Sequence, residues 1–197
     1  MGNLRSVSKA LEQVAPEARV AVTSDPAVIR AADKVVVPGQ GAMPDCMRQL
    51  AASGAREAVV EAARDKPFLG LCIGLQMLFE RAEEGDTICL GILRGSVPRF
   101  RGAAMRGLKI PQKGWNRVRQ TRGHALWQGI ADQSWFYFVH SYYAAPSDAS
   151  IAAATCDYGM PFTCAIARDN IFAVQFHPEK SDSAGLQLLT NFVRWRP

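Results

Sequence analysis

The sequence predicts an α/β fold, in which a parallel sheet carries helices on both faces and the second half of the chain adds antiparallel strands. Two observations lead to this prediction. Short apolar runs alternate with helical segments as far as residue 84, an order typical of a parallel sheet. Beyond residue 87 the runs are shorter and are punctuated by Gly and Pro, so we expect them to return to the same sheet as antiparallel strands.

The first half begins with an amphipathic helix, for which Asn3 is a suitable N-cap. The apolar residues that recur at helical spacing are Leu4, Val7, Leu11 and Val14. Strands are predicted at 18–23, 34–37 and 68–71, and helices at 44–64 and 73–84. A doubly wound sheet normally begins with a strand that leads into its first helix. Here the helix comes first, so either the fold lacks that strand or the given sequence starts after it.

The second half changes character. Its predicted elements are short strands within 87–120, a short helix at 124–130, and β-rich runs at 135–143, 151–156 and 162–176. A last helix follows Ser181, which we expect to cap it. The residues of that helix expected to face the core are Leu186, Leu189, Phe192 and Val193.

Composition limits the class of protein. With 197 residues, of which 48% are hydrophobic and 21% charged, the chain suits one domain over residues 1–197. No apolar run approaches the roughly 18 residues of a membrane span, and no signal peptide is recognisable. The five cysteines include no C-x-x-C pair, so neither a disulfide framework nor a zinc site is predicted. We therefore expect a cytoplasmic protein without a membrane or metal.

The net charge of +5 is unevenly placed. Residues 87–131, the acid-free segment, contain nine cations and no Asp or Glu. These cations are spread over strand-like and turn-like sequence rather than one helix, which argues against nucleic-acid binding. Two interpretations stay open: a solvated basic face, or a surface that meets an acidic protein or a phosphorylated ligand.

The most informative motif is Gly70-Leu71-Cys72-Ile73-Gly74, which follows an apolar run and precedes helix-forming residues. This is the order of a nucleophile elbow with Cys in place of Ser. We expect the turn to expose the Cys72 sulfur at a helix N-terminus, where partial positive charge favours the thiolate. Without a general base, an inert core cysteine would be the alternative.

A candidate base lies near the end of the chain. His177 follows the strong predicted strand 171–176, and Pro178 ends that strand, so the imidazole is placed at the rim of the sheet. Glu179 is close enough to orient the imidazole and stabilise its cation. The sequence therefore predicts a triad of Cys72, His177 and Glu179, whereas His140 is expected to satisfy a hydrogen bond.

The elbow, the F-H-P-E box at 176–179 and the P-G-Q-G turn at 38–41 resemble those of the class I (triad) glutamine amidotransferases. The resemblance implies a flavodoxin-like mixed sheet flanked by helices, and no cofactor. It also implies hydrolysis of L-glutamine to glutamate and ammonia through a γ-glutamyl thioester on Cys72. His177 would act as base and acid, and Glu179 would hold the imidazole.

The resemblance assigns further roles. The backbone N–H of Ile73 and that of Gln40 or Gly41 would form the oxyanion hole, and the glycines on both sides of Gln40 would let its peptide flip. The residues expected to hold glutamine are Gly41, Gln76, Ser141 and Tyr142. An ordinary turn at 39–41 and a solvated Gln76 are the alternatives.

Longer strings, at 1–12, 113–118, 135–143, 158–163 and 174–181, are similar to those amidotransferases that form the glutaminase subunit of imidazole glycerol phosphate synthase, in histidine biosynthesis. This similarity implies a heterodimer with a cyclase subunit, a TIM barrel that receives the ammonia. The residues expected at that interface are Asn3, Trp115, Tyr137 and Lys180. The alternatives are that Trp115 and Tyr137 are plain core aromatics and that Lys180 is a surface lysine. We also expect the acid-free segment to dock on an acidic barrel face.

Two departures from the family pattern stand out. A hydrophobic strand and a D-Y-G-like turn usually precede M-G-N, so we expect a central strand of roughly ten residues to be missing. Gln112-Lys113 stands where the family often has His-Met. The rival functions are another triad glutaminase, such as that of pyridoxal phosphate synthesis, a stand-alone cysteine hydrolase, and a non-enzymatic binding module.

Overall fold

The computed structural model describes residues 2–102 and 105–197, and the side chain of Asn3 lies outside the described part. The α-helices are α1 Gly2–Val14, α2 Pro26–Ala31, α3 Met43–Ala52, α4 Arg56–Asp65, α5 Ile73–Gln76 and α6 Asp182–Arg194. The strands are β1 Val35–Gly39, β2 Phe68–Cys72, β3 Arg81–Ala82, β4 Thr87–Ile88, β5 Gly95–Val97, β6 Gln112–Gln120, β7 Ser134–His140, β8 Ala145–Pro146, β9 Ala152–Asp157, β10 Pro161–Arg168 and β11 Ile171–Val174.

A seven-stranded mixed sheet forms the centre, in the order β1-β2-β11-β10-β9-β6-β7. β1, β2 and β11 are parallel, and the remaining pairs are antiparallel. A smaller sheet, in the order β4-β3-β5-β8, lies beside it. The predicted α/β class is confirmed, and so is the change from parallel to antiparallel pairing in the second half.

Two hydrophobic clusters cover the two faces of the sheet. Successive residues of β2 alternate between them, because side chains of a strand point to opposite faces. Leu69 and Leu71 join the cluster that contains residues of α1 and α6. Phe68 joins the cluster that contains residues of α3 and α4. The parallel strands are therefore buried on both faces, which explains why Phe68–Leu71 is uninterruptedly apolar.

The predicted strand at 18–23 is wrong: these residues have no regular secondary structure, and Val22 is exposed. A strand needs a neighbour, and in the described part of the chain none pairs with this segment. β1, which begins one residue later than predicted, lies at the edge of the sheet and pairs only with β2 there.

Several helix boundaries differ from the predictions, and the helix predicted at 124–130 is a 3₁₀ turn, Ala125–Trp127. The helix predicted at 44–64 is divided into α3 and α4 at Gly54, whose φ of 70° suits glycine. Asn3 lies inside α1 rather than at its cap. The helix predicted at 73–84 ends after one turn: the backbone N–H groups of Leu78 and Phe79 donate to residues three positions back, and that of Glu80 donates to Gly95 at the small sheet.

Ser181 precedes α6 as predicted, but its side chain does not cap the helix. The Ser181 hydroxyl donates to the carbonyl oxygen of His177 at 2.6 Å and accepts from the backbone N–H of Tyr137 at 3.0 Å. The backbone N–H of His177 in turn donates to the Tyr137 carbonyl at 2.9 Å. The predicted cap thus fastens the histidine segment to β7.

Candidate active site

The elbow has the backbone that the motif predicts. Cys72 ends β2 with φ 54° and ψ −107°, a conformation rarely adopted by residues other than glycine, and α5 follows at once. A Cβ on Gly70 would lie 2.7 Å from the Gly74 carbonyl oxygen. Both glycines are therefore required where the strand turns sharply into the helix.

The prediction that the turn exposes the Cys72 sulfur is wrong, since only 5% of the residue is accessible. The carbonyl of Val139, on β7, lies 4.0 Å from the sulfur, and the side-chain amide of Gln175 lies 3.6 Å from it. Strand β7 and the turn after β11, both distant from Cys72 in sequence, thus close over the elbow.

His177 and Glu179 meet as predicted. The Nδ1 atom of His177 lies 2.9 Å from Oε1 of Glu179, and the two side chains are 1% and 0% exposed. The short helical turn that begins at Pro178 makes this contact possible between residues two apart. In the described residues Nε2 of His177 and Oε2 of Glu179 have no hydrogen-bond partner.

The imidazole of His177 favours its cationic form. Burial works to lower its pKa, but the contacts with Cys72 and with the Glu179 carboxylate outweigh burial and raise the pKa from 6.5 to about 9. Nε2 of His177 makes no regular hydrogen bond to the Cys72 sulfur. We therefore attribute the contribution of Cys72 to the raised pKa of His177 to charge attraction. At neutral pH the site therefore holds an imidazolium beside a sulfur and a carboxylate.

The other four cysteines have unreactive thiols at neutral pH. Burial raises the pKa of the Cys46 thiol. It also raises the pKa of Cys89 to about 11 and the pKa of Cys156 to about 12. Burial also raises the pKa of Cys164 well above its ordinary value. All five cysteines are free thiols, and Cys72 alone faces a histidine of the candidate triad.

Gln76 lies one turn after Cys72 and is buried rather than solvated. Its Nε2 donates to the Tyr142 carbonyl at 3.0 Å and to Oε1 of Gln175 at 2.9 Å. The Ser141 carbonyl accepts from the backbone N–H of Phe100. The structure thus brings Gln76 against the 141–142 segment, and these carbonyls already have intramolecular partners.

Gln175 is a site residue that the sequence reasoning missed. It lies directly before Phe176 and His177, inside the same string that contains the triad histidine. It is completely buried, and a buried amide needs partners. That combination, a polar side chain in the apolar run 171–176 next to a candidate base, is the signal that could have found it.

His140 plays the structural role that was expected. Its Nδ1 donates to the Tyr142 carbonyl at 2.7 Å, and Nε2 lies 3.0 Å from the side-chain amide of Gln112. Burial lowers the pKa of His140 to about 4, so the ring is neutral at pH 7. Gln112, where the family often has His, therefore supports the residue that holds Tyr142 in place.

The P-G-Q-G turn lies next to the elbow. Gly39 is in register with Cys72 across the β1–β2 pair. Gly41 has a φ of 97°, and space is open where its Cβ would be. The Gln40 carbonyl accepts from the Cys46 thiol at 3.3 Å. The turn is thus a positive-φ glycine turn beside the nucleophile candidate, held on one side by a weak hydrogen bond.

An aromatic face lies on the outer side of β6 and β7. Its members are Trp115, Trp135 and Tyr137, with Arg117 and Lys180. Trp115 is 50% exposed and packs edge-on against Tyr137. The Arg117 guanidinium lies 5.1 Å from the Trp135 ring centre, and the Lys180 ammonium lies 5.9 Å from that of Tyr137. Trp115 is therefore a surface residue and not a core aromatic.

Neither a metal centre nor a membrane segment is found where the structure is described. No group of three His, Cys, Asp or Glu side chains there is arranged to hold a metal ion. None of the helices in residues 2–102 and 105–197 has the length and hydropathy of a transmembrane helix.

Comparison with known proteins places the chain in a family. The family model for glutamine amidotransferase class-I matches residues 3–195. The chain is 62% identical to the imidazole glycerol phosphate synthase subunit HisH of Dechloromonas aromatica, over 100% of this chain and 94% of that protein. It is also 62% identical to the subunit HisH of Nitrosospira multiformis, over 100% of this chain and 95% of that protein.

A solved structure supports the fold. The glutaminase domain of Trypanosoma brucei CTPS with bound acivicin superposes with a TM-score of 0.65 and 16% identity, covering 98% of this chain and 89% of that chain. At this identity the likeness concerns the fold alone, and it agrees with the mixed sheet described above. By the family model and by relatives that are similar over its whole length, the chain belongs to the class I glutamine amidotransferases.

Proposed function

We propose that this chain is the glutaminase subunit of an imidazole glycerol phosphate synthase of histidine biosynthesis, built as one amidotransferase domain. The observation that carries the proposal is the 62% identity, over the whole chain, to two subunits of that synthase. The meeting of Cys72, His177 and Glu179 in one buried site supports the chemistry. The reaction is hydrolysis of L-glutamine to glutamate and ammonia.

The first step is attack of the Cys72 sulfur on the carboxamide carbon of glutamine. His177 holds a proton at neutral pH, because its pKa is raised to about 9. It donates that proton to the nitrogen as the C–N bond breaks, so ammonia leaves and a γ-glutamyl thioester remains. Neutral His177 then takes a proton from water, which attacks the thioester and releases glutamate and the Cys72 sulfur.

Glu179 holds the imidazole throughout, through its contact with Nδ1. The oxyanion of each tetrahedral intermediate would be stabilised by backbone N–H groups. Ile73, the first residue of α5, would supply one of them. The Gln40–Gly41 peptide would supply the other after a flip, which the positive φ of Gly41 allows at little steric cost.

Glutamine would be held by the segment around Tyr142 and by Gln76. Both hydrogens of the Gln76 amide are used within the protein, so its Oε1 is the atom that would accept a hydrogen bond from the substrate. Gly41 and Ser141 complete the proposed substrate site.

The ammonia would pass to a cyclase partner, a TIM barrel, which joins it to a phosphorylated ribulosyl intermediate to give imidazole glycerol phosphate. The word subunit in the names of the relatives supports a heterodimer. The aromatic face is a suitable docking surface, because aromatic residues and Arg are enriched in interfaces. Asn3, whose side chain lies outside the described part, is proposed to join Trp115, Tyr137 and Lys180 there.

The test is glutaminase activity of the full chain, alone and mixed with the cyclase subunit and its phosphorylated ligand. We expect activity that rises strongly in the complex and is lost in Cys72→Ser. Equal activity with and without the partner would contradict the coupled mechanism. Activity that persists in Cys72→Ser would contradict the assignment of the nucleophile.

A further inference from the structure

We propose that Gln175 is a positioning residue of the nucleophile, whose side-chain amide N–H holds the Cys72 sulfur in its attacking position and stabilises the thiolate. This inference rests on the proposed role of Cys72 and adds a residue to it. Gln175 has no accessible surface, and its Nε2 lies 3.6 Å from the sulfur. It lies in the turn between β11 and His177, so the same segment supplies the base and this donor.

The orientation of the Gln175 amide follows from its neighbours. A backbone carbonyl can only accept, so Gln76 must present its NH₂ group to the Tyr142 carbonyl. The same NH₂ group donates to Gln175, which fixes the oxygen of the Gln175 amide on that side. The nitrogen of Gln175 therefore points to the sulfur. The Gln175 amide therefore donates to the Cys72 sulfur, and the Gln76 amide donates both to Gln175 and to the Tyr142 carbonyl.

The sulfur needs such a donor because the site is closed. A thiolate buried from water loses its hydration, and it is stable only where charges or hydrogen bonds replace that hydration. His177 supplies the charge, and its Nε2 makes no aligned hydrogen bond in the described residues. The amide of Gln175 is the side-chain donor that contacts the sulfur there. Gln175 and His177 thus approach the sulfur with different interactions.

The test compares Gln175→Met with the unaltered protein, since Met keeps the volume and removes the amide. The probe is iodoacetamide, and the rate of Cys72 alkylation is measured as a function of pH. A hydrogen bond to a charged group is strong enough that its loss should slow alkylation at neutral pH, and lower kcat/KM for glutamine, by roughly tenfold. The pH midpoint of alkylation should rise accordingly.

Two further variants separate positioning from folding. Gln76→Met keeps Gln175 and removes the donor that fixes its orientation. Because the alkylation measurement does not involve glutamine, loss of the proposed substrate contact of Gln76 does not affect it, and the midpoint should also rise, by less than in Gln175→Met. Asn191→Leu removes another buried amide, which donates to the carbonyls of Leu126 and Gln128 and accepts from the side-chain amide of Gln187, away from Cys72. It should lower the stability and leave the midpoint unchanged.

The outcomes are distinct. An unchanged midpoint in both Gln175→Met and Gln76→Met, with Cys72-dependent glutaminase activity in the unaltered protein, would overturn the inference. A midpoint that shifts equally in Asn191→Leu would do so too, because the effect would then be general loosening. If the unaltered protein showed no Cys72-dependent activity, the proposed function would fail, whatever the midpoints.

Discussion

Gly74 presses its α-carbon against the carbonyl oxygen of Val37, so closely that a Cβ on Gly74 would lie 1.8 Å from that oxygen. The contact joins the first helical turn after Cys72 to β1, the strand that leads into the Gly39–Gly41 turn. The glycine at this position of the elbow is therefore required by packing between elements, in addition to the turn itself.

Gly74→Ala should destabilise the protein by about 3 kcal/mol or more, because the added methyl group meets backbone that cannot rotate away. Urea unfolding followed by circular dichroism measures this. Gly123→Ala is the matched control, since open space lies where its Cβ would be, and it should change the stability by less than about 1 kcal/mol. Similar losses in the two variants would contradict the steric explanation.

Stability should fall as the pH rises from 6.5 to about 9. The pKa of His177 is raised in the folded state to about 9, so its contribution is complete below 6.5 and is lost as the pH passes through 9. Glu179→Gln removes one of the contacts that raise this pKa and should flatten the decline. Glu12→Gln, on the exposed surface of α1, should leave the decline unchanged. Unfolding free energies at several pH values decide it.

On the acid side, stability should fall as the pH drops from 6.5 to about 4. Burial lowers the pKa of His140 to about 4, so the unfolded chain binds a proton in this range that the folded protein does not. His140→Gln should make the fall less steep. Part of it should remain, because burial and then the charge of Arg122 lower the pKa of His124 to about 4 as well. An identical slope would show that His140 is not neutral in the folded protein.

Trp115→Ala should weaken the complex with the cyclase subunit by roughly thirtyfold, the effect of losing one central aromatic contact. The stability of the free Trp115→Ala subunit should be close to that of the unaltered protein, because half of the Trp115 surface is already exposed. Ile88→Ala is the control: Ile88 is 72% exposed but lies on the small sheet, so its loss should leave the affinity unaltered. Isothermal titration calorimetry gives both affinities.

Charge reversal of Arg117 and Arg119 should slow association with the cyclase roughly tenfold at low salt and reduce its dependence on salt. Both cations lie on β6, within the acid-free segment. The same double reversal at Arg56 and Arg64, on α4, provides a control with equal net charge. Stopped-flow rates that respond equally to both pairs would indicate an effect of net charge rather than docking at this surface.

Much of the candidate site could be predicted from the sequence, because its parts are local. The Gly70–Gly74 motif encodes a positive-φ cysteine between a strand and a helix, and the structure has that backbone. His177 and Glu179 are two residues apart, so their contact needs only the short turn at Pro178. Patterns of this kind determine the backbone of a few neighbouring residues, so they can be recognised in the sequence without knowledge of the fold.

The tertiary structure decided what the sequence could not. Which strands lie beside Cys72 depends on the sheet order, and that order brought Val139 and Gln175 over the sulfur and buried it. The segment at 18–23 has strand-like sequence but no neighbour, and the helix after Cys72 stops where the small sheet offers backbone partners. Local propensity proposes an element, whereas hydrogen-bond partners and burial from distant residues decide whether it forms. The sequence by itself therefore determined the elbow and the residues that meet at the candidate base, and the fold alone determined how the nucleophile is enclosed.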